Sequence, residues 1–369
     1  MEESGLRKTR SHLALVLVIL LVCSDGIAMV YSQRVPALFV FGDSLVEVGN
    51  NNYLNTLAKA NYYPYGIDYG GGATGRFTNG KAIIDFIADM LSVPSPPAFA
   101  NPSTTGTNIL NGVNYGSAAG GILDESGRHY GARYSLSQQV LNFERTLDQL
   151  RTMMNGTALS QYLAKSIAIM VCGSNDYINN YLMPSLYSSS YTYTPQQFGN
   201  LLLNSYVRQI LALYSVGLRK FFFAGIGPLG CIPNQRATGL APPGRCVDYV
   251  NQMLGTFNDG LRSMVDQLNR RYSNAIFAYF NTYRGFGDIL NNPAAFTFSV
   301  IDSACCGIGR NQGQITCLPY GVPCPNRDQY VFWDAFHPTQ AATYVLAWRA
   351  VNGPPSDSYP INVLQMAQI

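Results

Sequence analysis

The sequence predicts an α/β protein built on a mainly parallel sheet with helices on both faces, and three observations carry that prediction. Apolar runs of strand length occur at residues 37–41, 166–172, 219–226 and 275–280, and runs this continuous mark strands buried on both sides. Between them lie segments of helical periodicity, at 136–154, 198–216 and 248–272, each long enough for a parallel crossover. Finally, 47% of the 369 residues are hydrophobic and only 12% charged, which suffices for a large core and lies far from the signature of disorder.

The chain begins with a targeting pattern. Arg7, Lys8 and Arg10 precede the apolar run 13–23, and Gly26 and Ala28 form a small-residue cleavage pair. A membrane span needs about twenty apolar residues, so this shorter run reads as a secretory signal peptide. The expectation is a cleaved leader over residues 1–28, a single domain over 29–369, and a secreted, extracellular protein without a membrane span. No Pro/Gly/Ser-rich linker, charge block or repeat divides the chain. The formal net charge is +3, and the leader carries as many acids (Glu2, Glu3, Asp25) as bases. Scattered bases at so low a net charge give no nucleic-acid signature. The sequon at Asn155 offers a glycosylation site to a secreted chain.

The chain has eight cysteines, of which Cys23 falls in the leader. Cys231 and Cys246 are close in sequence, and Cys305, Cys306, Cys317 and Cys324 cluster. An oxidising compartment and the lack of a paired CxxC spacing favour disulfide staples over a zinc site, with their connectivity open. Cys172, inside an apolar run, is the expected free thiol.

In a parallel sheet, ligands bind beyond the carboxyl ends of the strands. The first such segment is Gly42-Asp43-Ser44. A serine there is commonly a helix cap, and becomes a nucleophile only beside a base. Outside the leader the chain has two histidines. His129 lies in a polar loop and reads as solvated. His337 follows Asp334 by three residues, a spacing that lets the carboxylate hold imidazole Nδ1 and free Nε2 to take a serine proton. Asp334 alone would also serve as a cap for the helix expected from near Thr339. Ser44, Asp334 and His337 together make a Ser-His-Asp triad the best reading. The Ser44 N–H, the Asn175 side-chain amide and a backbone N–H of the glycine-rich stretch 114–122 are the candidate donors to an oxyanion.

Two nucleotide-like stretches are set aside. Residues 70–75 match GxGxxG without a preceding strand, and residues 225–230 follow a strand, but Pro228 and Pro233 interrupt the helix that should hold a pyrophosphate. No His-x-x-x-His pair supports a metal site, and no cofactor is expected.

Phe41-Gly-Asp-Ser44 with Asn50-Asn-Asn52, the stretch Asn114-Tyr-Gly-Ser-Ala-Ala-Gly-Gly-Ile122, Gly173-Ser-Asn-Asp176 and Asp334-Ala-Phe-His-Pro338 resemble, in order, the blocks of the GDSL-type esterases and lipases of the SGNH hydrolase superfamily. Gly75-Arg-Phe-Thr-Asn-Gly-Lys81, Gly227-Pro-Leu-Gly-Cys-Ile-Pro233 and Cys305-Cys-Gly307 are similar to hallmarks of its plant secreted branch. The resemblance implies a flavodoxin-like three-layer α/β/α sandwich, with Ser44 as nucleophile, His337 as base and Asp334 as its partner. It implies an oxyanion hole of the Ser44 N–H, Asn175 and a glycine of the second block, Gly121 by its place in the motif, with Gly120 and Gly116 behind it. Glu47 departs from the family's more frequent aspartate and lies off the triad. The implied activity is hydrolysis of acyl-lipid or small acyl esters in the cell wall or apoplast. An acyltransferase with a hydroxyl acceptor and an inactive lipid- or glycan-binding homologue are the alternatives.

Overall fold

The computed structural model describes residues 35–369, so the expected leader and its cleavage site lie outside the described residues. Four strands form the parallel core of a sheet: β1 (Leu38–Gly42), β2 (Ile167–Val171), β3 (Lys220–Ala224) and β4 (Ile276–Phe280). They pair in the order β1-β2-β3-β4, and a short antiparallel edge strand, Ser358–Tyr359, closes the far side of β4. Their ends are flush, because Gly42, Val171, Ala224 and Phe280 stand in one register row.

A further segment lines the other flank of β1. The amide of Leu38 donates to Asn111 O, that of Val40 to Val113 O, and that of Tyr115 to Val40 O, at 2.8–3.1 Å. Residues 111–115 therefore run parallel to β1 as an irregular strand, which Gly112 permits: a Cβ there would lie 1.9 Å from Leu38 O. Counting this segment in chain order, the sheet reads 2-1-3-4-5, the flavodoxin-like order, and its topological switch point falls at β1.

Side chains alternate across the strands and divide the core into two halves. Phe39, Phe41, Phe221, Phe223 and Phe277 pack against the long helices 136–153, 195–215 and 255–271. Leu38, Val40, Phe222, Ala278 and Phe280 face the helices 83–91, 282–291 and 340–352. This is the expected three-layer arrangement. The apolar runs mark the four long strands to within a residue or two. The periodicity of 248–272 is split into two helices at Leu254, where Gly255 follows and loosens the helical path. The sequence reading missed a small parallel pair, Val300–Ala304 with Tyr330–Phe332, because Asp302 and Ser303 break its apolar character and much of it is half-exposed.

Three disulfides lie near this pair and the loop after β3: Cys231–Cys246, Cys305–Cys324 and Cys306–Cys317. Cys172 is the free, buried thiol. Spacing alone left three ways of pairing the four clustered cysteines. Among the described residues no helix is long and apolar enough to cross a membrane.

The aromatic row on the sheet face is the core's largest stake. The rings of Phe221 and Phe277 stack at 5.1 Å, and Phe221 is fully buried. Phe221→Ala is expected to lower the free energy of unfolding by about 3–5 kcal/mol. Denaturant titration measures this, and a loss below about 1 kcal/mol would contradict the packing described.

Candidate active site

Gly42 ends β1 with φ +154, and a Cβ there would lie 2.1 Å from Val171 O. Only glycine lets the chain turn this sharply against β2. Gln139, in the first turn of the helix 136–153, clamps the same point: its Oε1 accepts from the Gly42 amide and its Nε2 donates to Gly42 O, both at 2.8 Å. Asp43 Oδ1 then accepts from the Leu45 amide at 3.0 Å. The turn is thus fixed on both sides of Ser44.

His337 reaches it from the other end of the chain. Asp334 closes a tight turn after the strand 330–332 by accepting at Oδ1 from the amides of Phe336 (2.9 Å) and His337 (2.8 Å). Trp333 N donates to His337 O across the same turn. The turn brings His337 Nδ1 to 2.8 and 2.9 Å from the two Asp334 oxygens. His337 Nε2 lies 2.7 Å from Ser44 Oγ. Thr339, not Asp334, caps the following helix. Burial alone would raise the Asp334 carboxyl, but His337, its hydrogen bond, Tyr65 and the Phe336 amide hold it below the ordinary carboxylate value. Phe77 packs on the imidazole at 5.0 Å between ring centroids, and the buried Arg76–Asp85 pair anchors its loop.

The other predicted residues are placed as follows. Asn175, just past β2, lines the same cleft as Ser44 and His337. Its Nδ2 donates to Gly120 O at 2.9 Å and its Oδ1 accepts from Asn179 at 2.6 Å. This orients the amide and leaves its second N–H for the cleft. Gly121 is not brought to the cleft wall: a Cβ on it would meet Ser126 and the Asp176 carboxylate, which accepts from the next two amides, Ile122 and Leu123. Ala119 lines the cleft instead, with φ +63. Its neighbours' amides are engaged, Ala118 with Glu47 Oε2 and Gly120 with Ser117 O. The N–H groups of Ser44, Ala119 and Gly121 have no partner among the described residues, and of these three Ser44 and Ala119 line the cleft. Asn155 is exposed and caps the helix 156–165 through Oδ1. His129 is not simply solvated, since its Nδ1 meets Tyr187 Oη at 2.8 Å.

Glu47 carries more than its place off the triad suggested. Fully buried, it accepts from the amides of Gly49 (2.7 Å), Asn50, Asn51 (3.4 Å) and Ala118 (3.1 Å), so it ties the nucleophile loop to the stretch bearing Ala119. The signal that would have pointed to it is an acid beside amide-rich Gly-Asn-Asn-Asn. Gln139 had no sequence signal, because its partner is a backbone 97 residues away.

The family profile described as GDSL-like lipase/acylhydrolase matches residues 38–349. The chain belongs to the GDSL-like lipase/acylhydrolase family. It is 62% identical over 354 residues to the GDSL esterase/lipase At1g71250 of Arabidopsis thaliana, covering 96% of this chain and 95% of the relative. Two further Arabidopsis thaliana relatives are the GDSL esterase/lipase At5g08460, 54% identical with 90% and 88% covered, and the GDSL esterase/lipase 7, 47% identical with 97% and 99% covered. Within this GDSL chain, Ser44 borders an apolar recess lined by Phe77, Ile83, Thr343 and Leu346, and opens on two further arms. One is apolar, walled by Leu45, Ile178, Leu229, Phe286 and Phe332. The other carries Lys59, Tyr62, Tyr130 and Thr316. Among the described residues no group of three or more His, Cys, Asp or Glu side chains is placed to hold a metal.

Three buried acids around Ser44 titrate far from their usual range. Burial lifts Asp43 and Glu47 to about 7 and Asp176 to about 6, against the hydrogen bonds each accepts. Between about pH 4, where these acids titrate in an unfolded chain, and these raised values, the folded state holds protons that the unfolded state has released. Their stabilising contribution is full below about pH 4 and is lost as pH rises through about 7. Asp43→Asn removes one such group, so its profile of Tm against pH is expected to fall less steeply between pH 4 and 7 than that of the parent. Parallel profiles would refute the assignment.

Proposed function

We propose that this GDSL-family chain is a secreted serine hydrolase that cleaves carboxylic esters through an acyl-serine intermediate. The observation that carries the reading is the continuous contact from Ser44 Oγ through His337 to Asp334, 2.7 Å and 2.8 Å long. With Nδ1–H held by Asp334, His337 Nε2 is the acceptor that takes the Ser44 proton as Oγ attacks the ester carbonyl. The proton then passes to the departing alcohol, and water, activated in the same way, releases the acid.

The tetrahedral oxyanion would be met by the Ser44 N–H, the Asn175 amide and the N–H of Ala119 rather than Gly121. Supporting this, Ala119 lines the cleft with an unengaged amide, whereas Gly121 backs onto Asp176. The apolar arm suits the acyl chain and the Lys59, Tyr62 and Tyr130 arm the alcohol portion. That second arm also gives an acyltransferase reading a foothold, since a hydroxyl acceptor held there would replace water in the second half-reaction. The three disulfides fit an oxidising, extracellular setting.

Hydrolysis of chromogenic acyl esters from acetyl to palmitoyl, by the secreted protein and its Ser44→Ala variant, tests the reading. Turnover that disappears in the variant is expected, with product analysis beside a competing alcohol separating hydrolysis from transfer. No turnover in either protein would favour a binding role on an inactive scaffold. Asn175→Ala is expected to reduce kcat about 10²–10³-fold with a smaller change in KM, as loss of one oxyanion donor does. An unchanged kcat would remove Asn175 from the oxyanion hole.

A further inference from the structure

Tyr65 comes from a turn-rich loop, 269 residues before Asp334 in sequence, yet its Oη lies 2.5 Å from Asp334 Oδ2. The side chain is 2% exposed. Its ring is boxed edge-on by Tyr62, Phe77 and Trp333, at 5.3, 5.9 and 6.2 Å between centroids. Its hydroxyl also neighbours Thr316 Oγ1 at 3.4 Å and the Tyr62 phenol. Burial, and then the charge of Asp334, push the phenol well above its usual range, so it stays protonated and donates.

The two Asp334 oxygens are held differently. Oδ1 accepts from two backbone amides and from His337 Nδ1. Oδ2 shares that Nδ1–H at 2.9 Å and otherwise has only the Tyr65 hydroxyl. We propose that Tyr65 is a positioning residue of the hydrolytic site, acting through Asp334: it locks the carboxylate plane and draws off part of its charge, limiting how strongly Asp334 retains the proton on His337. The inference rests on the reading of Ser44, His337 and Asp334 as the catalytic set.

The surroundings of the pair make this hydroxyl decisive. The other titratable groups acting on Asp334 or His337 are Tyr62, whose Oη donates to Cys317 O, Tyr130, and Asp43 behind the nucleophile. None of these donates a hydrogen bond to Oδ2. Without Tyr65, Oδ2 is a buried anionic oxygen with half of one N–H. Such an oxygen favours the imidazolium form of its partner more strongly.

The test is an NMR titration of the imidazole in the full secreted protein, with the His337 resonance assigned by its absence in His337→Gln. In Tyr65→Phe the His337 titration is expected to move up by about 0.5–1 pH unit, and kcat to fall about 10-fold with KM changed less than about 2-fold. Tyr115→Phe is the control, because it also removes a buried phenol hydrogen bond, to Thr146 at 2.7 Å. It should lower Tm comparably and leave the His337 titration in place. Should Tyr65→Phe not accumulate, 3-fluorotyrosine at position 65, a stronger donor of nearly the same shape, should move the titration down instead. A His337 titration unmoved by either replacement would overturn the proposal. The titration needs no substrate, so it stands or falls apart from ester turnover.

Discussion

The structure depends on one constraint at the end of β1, which pairs in parallel with β2 on one side and with residues 111–115 on the other. Parallel pairing sends the following chain from all three segments to the same edge of the sheet, and the switch in strand order opens a crevice there. The residue after Gly42-Asp43 is Ser44, the stretch after 111–115 carries Ala119, and the stretch after β2 carries Asn175. Three chemically unlike groups meet because one backbone ladder is in register. The Gln139 clamp on Gly42 keeps that ladder's end from fraying into the cleft.

Charge is managed around this edge by backbone donors more than by cations. Glu47 and Asp176 are buried without a basic side chain in contact, and each is met by amides of the loops it joins. Buried carboxylates so placed act as knots between loops, and their desolvation appears as raised proton affinity. Asp334 differs: its hydrogen bonds and His337 outweigh burial and keep it an anion, as Arg76 does for buried Asp85. A chain with few charged residues thus concentrates several of its acids where orientation matters most. The disulfide-bearing segment adds covalent support on the far side, where Thr316 and Cys317 O meet Tyr65 and Tyr62.

Much of the fold was legible because its cause is local. Strand runs such as Phe221-Phe-Phe223 are apolar on both faces, so they announce burial without any knowledge of their neighbours. Strand 300–304 was not, since Asp302 and Ser303 carry no such pattern and its partner 330–332 lies some 26 residues further along the chain. Among the site residues, Ser44, Asp334 and His337 could be named because each sits in a short stretch whose spacing has chemical meaning. Gln139 and Tyr65 could not, because their partners are backbone groups and a carboxylate oxygen brought near by packing alone, whereas Glu47 meets three amides within four residues of itself and only Ala118 from afar.

The sequence by itself therefore determined the parallel α/β class, the candidate set Ser44, His337 and Asp334, and which cysteine would stay unpaired. Each of these follows from residue types at short range. Only the tertiary structure decided how the clustered cysteines pair, which residues of the 114–122 stretch line the cleft, and which phenol meets Asp334. Those outcomes turn on direction and on distances of a few ångströms between segments far apart in the chain, and a linear sequence carries neither.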